Sequence, residues 1–224
     1  MGSVIGELIP LAVAVAITPI SIIAVILMLF AHHASRTVAG FLLGWVVGIV
    51  VALVVFELIA GAINLGSTAQ PSTGASWLTL ILGVGLILLG LWEWRHRPRP
   101  GQAADLPARL SAVDTLTAER AARLGLALAV ANPKNLVMAI AAGLAIAGGH
   151  LGVGQQVIAI AVFTVVAGST LAAPVIAYAL AAARARPPLD RQKTWLAEHN
   201  ADVLGAVLVL IGAVLVGKGI GGML

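Results

Sequence analysis

The sequence predicts an all-α integral membrane protein whose six transmembrane helices form two inverted three-helix repeats, with both termini extracytoplasmic. Three observations carry this. Of the 224 residues, 60% are hydrophobic and only 10% charged, with a mean hydropathy of +1.06, a balance that belongs to the membrane class. Six apolar stretches, 4–31, 38–63, 77–94, 122–148, 153–182 and 201–222, are each long enough to cross roughly 30 Å of hydrocarbon. The cations alternate: eleven of thirteen lie in or beside the first, third and fifth connections, and the second and fourth hold no Lys or Arg. By the positive-inside rule the basic connections are cytoplasmic. The net charge of +4 is then a matter of topology and of attraction to anionic headgroups, and nucleic acid is not an expected partner.

The first helix follows Met1-Gly2-Ser3-Val4, which lacks the basic n-region of a signal peptide, so it is expected to be retained. His32, His33 and Arg36 form the first cytoplasmic turn. The second helix carries Gly40, Gly44 and Gly48 on one face, two small-xxx-small steps that admit a neighbouring backbone. They serve packing within the chain or a homo-oligomer contact. Trp77 opens the third helix, and Trp92, Trp94 and Trp195 mark the cytoplasmic boundary as interfacial anchors. Residues 95–121 form a basic cytoplasmic linker, extended at Arg95-His96-Arg97-Pro98-Arg99-Pro100-Gly101 and mildly helical from Leu106. The latter part either lies on the membrane surface or is a solvated connection. The fourth, fifth and sixth helices complete the second half, 122–224, opposite the first half, 1–94.

The two halves share a pattern. At an offset of 114 residues Pro19 falls on Pro133, Thr18 on Asn132 and Ser21 on Asn135; at an offset of 122, Gly83 falls on Gly205 and Gly90 on Gly212. Three helices per half is odd, so the second half is inverted in the membrane. This is the plan of secondary transporters, whose sites lie near the midplane on broken helices. Helices 1 and 4 are the expected broken ones, with Pro19 and Pro133 as hinges and Pro174 as a further kink in the fifth helix.

Lys134 is the chemical centre of the sequence. It lies about ten residues inside its segment, roughly 15 Å at the helical rise, too deep for an easy snorkel. A lysine there costs roughly 2.5–3.5 kcal/mol, so it should face protein or a wet cavity. Asn132, Asn135, Thr18, Ser21, Ser169 and Thr170 lie at similar depth and complete the candidate substrate site. An ammonium beside the positive end of a half-helix favours an anionic group. Glu57, the other ionisable residue well inside a segment, is a candidate for proton coupling or a hydrogen-bonding group near the outer interface. There is no cysteine, and no convincing set of metal ligands, phosphate-binding loop or catalytic triad is present. Neither an enzyme nor a cofactor is expected.

The segments Thr18 to Leu29, Gly40-Phe41-Leu42-Leu43-Gly44-Trp45, Asp114-Thr115-Leu116-Thr117 and Asn132-Pro133-Lys134-Asn135-Leu136, followed by Ala141-Ala142-Gly143, together resemble the GAP family of actinobacterial peptidoglycolipid and sulfolipid addressing proteins, in the LysE transporter superfamily. Their order and spacing span most of the chain. Ser21 stands where family members often carry a second proline, a departure that bears on the geometry of the first break. The resemblance implies six helices in the plasma membrane and the movement of envelope lipids or glycolipids to the cell surface. It leaves the cargo open. Two other functions fit the residues: a proton-coupled exporter of a small, amino-acid-like solute, and a non-transporting scaffold that gathers lipid-synthesis or export partners.

Overall fold

A computed structural model describes residues 1–31, 34–62, 73–95 and 116–222. The expectations for His32 and His33, most of the second connection and residues 96–115 of the linker lie outside the described residues. The described chain is helical: α1 (Gly2–Ala16), α2 (Pro19–Phe30), α3 (Ala34–Ala62), α4 (Thr73–Arg95), α5 (Ala118–Val130), α6 (Pro133–Gly148), α7 (Val153–Glu198) and α8 (Asn200–Gly221). Among them, four helices are long and apolar enough to cross a membrane, and the count rises to six when each of two bent pairs is one span.

The bent pairs are α1 with α2, at 56°, and α5 with α6, at 67°. Proline sets both. Pro19 and Pro133 each occupy the first turn of the following helix, where a missing N–H costs nothing. In mid-helix the same ring would clash with the preceding turn, so the chain breaks instead. Asn132 caps α6, its Oδ1 accepting from the Lys134 backbone N–H at 3.0 Å, and Thr117 caps α5 in the same manner through Arg120 N–H at 3.3 Å.

In α7, Pro174 lies inside the helical run, and the residue with non-helical dihedrals is Ala181. Beyond that kink the fifth connection is itself helical: Ala185, Leu189 and Leu196 are buried while Arg184, Arg186 and Arg191 are exposed. That spacing is the period of an amphipathic helix, which continues after the apolar run has ended.

Packing is close where glycines meet. A methyl on Gly44 would overlap the carbonyl O of Ala122, and one on Gly125 that of Phe41. The Gly40, Gly44, Gly48 face is thus occupied by α5 of the same chain, not left open for a second copy. The α4–α8 pair is antiparallel: a methyl on Gly83 would lie 2.8 Å from Gly212 O, and one on Gly90 2.9 Å from Gly205 O. These two contacts exchange under the 122-residue offset. The bent pair α5–α6 packs on α3, and the pair α1–α2 packs on α7. Phe41, Trp45, Ile49 and Leu53 on α3 and Ala159, Phe163, Ala167 and Leu171 on α7 line the core. Outward, Leu43, Val51, Leu58, Val165 and Leu180 are exposed, an apolar exterior that suits lipid contact.

Glu7 and Lys218 form an ion pair at 3.0 Å, each about half exposed. Ser76 donates to Gly222 O at 3.0 Å, so the starts of α1 and α4 and the end of α8 share one end of the molecule. The starts of α3 and α5 meet at the other, where Thr37 Oγ1 lies 3.4 Å from Leu116 O.

Candidate functional site

The break between α1 and α2 strands backbone carbonyls that a continuous helix would satisfy. Val13 O is taken by Ile17 N–H at 3.1 Å. Ala14 O accepts from Lys134 Nζ at 2.7 Å, and Val15 O from Thr18 Oγ1 at 2.6 Å. Ala16 O accepts from Thr170 Oγ1 at 2.6 Å, and Ile17 O from Lys134 Nζ at 2.6 Å. The accounting closes with donors borrowed from α6 and α7. Buried carbonyls require this, since an unpaired one costs about as much as a lost hydrogen bond.

Lys134 stands in the first turn of α6 and is 1% exposed. Its third contact is Thr18 Oγ1, at 3.0 Å. Three acceptors for three ammonium donors is full satisfaction. The charge also sits at the negative end of the α1 dipole. In this conformation Lys134 therefore acts as a C-terminal cap supplied by another helix, bridging the two breaks.

The structure brings together Lys134, Thr18 and Thr170 by direct bonds around the end of α1. Asn132 holds the start of α6, and Asn135 donates its Nδ2 to Ala129 O at 3.2 Å, restoring an acceptor freed by the second break. Ser21 Oγ and Asn135 Oδ1 are buried without a hydrogen-bond partner among the described residues. These are the positions paired by the 114-residue offset. Ser169 is not brought in: it is exposed and donates to Val166 O at 2.7 Å, one turn back along α7. Glu57 is 9% exposed and lies against Gly143, whose added methyl would be 2.8 Å from Glu57 N. Gly143 is eight residues beyond Asn135, about 12 Å along α6, so Glu57 is separate from the lysine site.

Two contributors escaped sequence reasoning. The α1 carbonyls carry no signature, because every residue has one. Trp45 is 1% exposed, its Nε1 without a hydrogen-bond partner among the described residues, and its ring lies 3.8 Å from the position of a Cβ on Gly168. Its depth in an apolar helix distinguishes it from the boundary tryptophans.

The two breaks differ in exposure. Ala16, Thr18 and Pro19 are buried, whereas Ala131 and Pro133 are exposed. Non-helical backbone at membrane depth is tolerated against protein or a wet cavity; the first break meets the former condition within the chain.

A family model described as Sap, sulfolipid-1-addressing protein, matches residues 8–221. No curated protein and no solved structure matches the chain.

Proposed function

The chain belongs to the sulfolipid-1-addressing protein family, and from that premise we propose that it moves an envelope lipid or glycolipid with an anionic head across the plasma membrane or towards its outer side. The observation that carries the reading is the joint at the two breaks, where Lys134 reaches from α6 to the carbonyl end of α1. Lys134 exchanges partners: the carbonyls hold it in one state, and a sulfate, phosphate or carboxylate takes it in the other. Asn132, Asn135, Thr18, Ser21 and Thr170 orient the head, and Pro19 and Pro133 are the hinges. A ligand shifts such an equilibrium only by its differential affinity for the two states. An anion that replaces the acceptors supplies that difference.

In this reading the halves 1–94 and 122–224 are inverted repeats of the LysE kind, joined by a cytoplasmic linker, with both termini outside. The exchange of Gly83–Gly212 with Gly90–Gly205 under one offset supports it. A two-fold axis crossing an antiparallel helix pair at right angles carries each contact onto the other, and such an axis lies in the membrane plane.

The test compares surface-exposed with total envelope lipid in a deletion strain of the source organism, complemented with wild type or Lys134→Ala at equal amounts of folded protein. Surface lipid is expected to fall on deletion and to return only with wild type. An unchanged lipid distribution on deletion refutes lipid movement. The buried placement of Glu57 favours, as second reading, a proton-coupled solute exporter: saturable proton-driven flux in vesicles without envelope lipid, lost in Glu57→Gln, would establish it.

A further inference from the structure

At the basic end of the molecule a cavity of about 950 Å³ opens between the end of α2, the start of α3 and the kinked part of α7. Its size is at the upper end of the roughly 300–1,000 Å³ range of ligand pockets. Phe30, Ala39, Leu42 and the ring of Tyr178 give it apolar walls, and Arg36 and Arg186 stand among its lining residues. The midplane site contributes none of these residues.

The kink builds the cationic side. In a straight helix Tyr178 and Arg186 would be about 12 Å apart along the axis. With Ala181 non-helical between them, Arg186 donates to Tyr178 Oη at 3.3 Å and its guanidinium lies 5.8 Å from the centre of the Phe30 ring. A guanidinium drawn to the ring face and bonded to the Tyr178 hydroxyl keeps its remaining N–H donors for a ligand. Arg36 is exposed, and no ion pair among the described residues takes it. Lys193 adds a third cation, 5.9 Å from the same ring, with its charge shared by Asp190 at 2.7 Å. Beside the cavity, Ile176 and Leu180 on α7 are exposed, so the apolar walls adjoin the lipid-facing surface.

We propose that this groove binds a single lipid with a sulfate- or phosphate-bearing head, the head held by Arg36 and Arg186 and an acyl chain lying between α2, α3 and α7. Two guanidiniums match a tetrahedral oxyanion by paired, charge-assisted hydrogen bonds, and the walls take hydrocarbon. The groove is a loading site on the basic face, distinct from Lys134. The proposal deepens the lipid reading and rests on it for the direction of travel alone.

The test places the full chain in phosphatidylcholine nanodiscs containing a small fraction of phosphatidylglycerol with a diazirine in its acyl chain. After photolysis, labelled peptides are mapped. Labelling on the α2–α3 and α7 peptides is expected to exceed that by diazirine phosphatidylcholine by about tenfold, and to fall about as far in Arg36→Gln/Arg186→Gln. Ala39→Trp, which fills the groove from an exposed position, should also remove it. Lys134→Ala, compared at equal amounts of folded protein, should retain it. A sulfated glycolipid should compete, and inorganic sulfate should not. Equal labelling by phosphatidylcholine, or labelling indifferent to both groove variants, overturns the proposal, as does displacement by inorganic sulfate, which would make this a free-anion site. Loss of labelling with normal surface delivery in the arginine variant removes the loading role and leaves lipid movement standing. Intact labelling in a protein whose deletion alters no envelope lipid removes the movement and leaves the binding site.

Discussion

At the scale of residues, the cost of burying charge explains the centre of the molecule. Lys134 is held by two main-chain carbonyls and one hydroxyl, so it is structural in this conformation whatever else it recognises. Lys134→Met should lower stability in detergent by about 3 kcal/mol, because a charge-assisted set is lost and carbonyls are left buried and unpaired. Thr170→Val, which removes one of two bonds to Ala16 O and leaves that from Thr18 N–H at 2.9 Å, should cost about 1 kcal/mol; thermal unfolding of the purified protein measures both. Equal costs would mean that the ammonium holds nothing beyond one ordinary hydrogen bond. Lys134 was legible in the sequence as a charge too deep to reach water. Of its partners, Thr18 was already placed beside it, but the other two were not legible, since they are carbonyls of alanine and isoleucine more than a hundred residues earlier. Thr170 and Ser169 show the same limit: adjacent in sequence, they point about 100° apart on a helix, and only packing decides which one turns inward.

At the scale of elements, proline and glycine carry most of the information. Pro19 and Pro133 break their spans where expected, because each finds a first turn to occupy. Pro174 does not break α7; membrane helices accommodate such a residue when neighbouring groups satisfy the freed carbonyl. The kink at Ala181 has no proline or glycine at its own position to announce it. Glycine packing predicts a contrast on α3. Gly44→Ala should destabilise by about 1–3 kcal/mol, as overpacking does, because the new methyl meets the Ala122 backbone. Gly61→Ala, with nothing among the described residues within 4 Å, should be neutral or slightly stabilising through its higher helix propensity. Similar unfolding temperatures for the two would argue against the α3–α5 seam.

At the scale of the whole molecule, the ion pair between Glu7 and Lys218 and the bond from Ser76 to Gly222 put the start of α1, the start of α4 and the end of α8 together, opposite the basic helix that follows Ala181. The chain has no cysteine, so single introduced thiols report cleanly on sidedness. In intact cells Glu7→Cys and Lys218→Cys should react with an impermeant maleimide, and Arg184→Cys only after permeabilisation; the reverse pattern would invert the proposed orientation. Replacing Glu7 should cost less than about 1 kcal/mol, as exposed pairs do. The sequence by itself determined the class, the apolar segments, both proline breaks and the deep lysine. Those follow from composition, from length against bilayer thickness and from local backbone chemistry. The tertiary structure alone decided that Lys134 closes the end of α1, that Ser169 faces out, that α5 fills the glycine face of α3, and that the kink at Ala181 folds Arg186 back over Phe30. Each of these is a contact between distant parts of the chain, and local propensity carries no record of which distant backbone a side chain will meet.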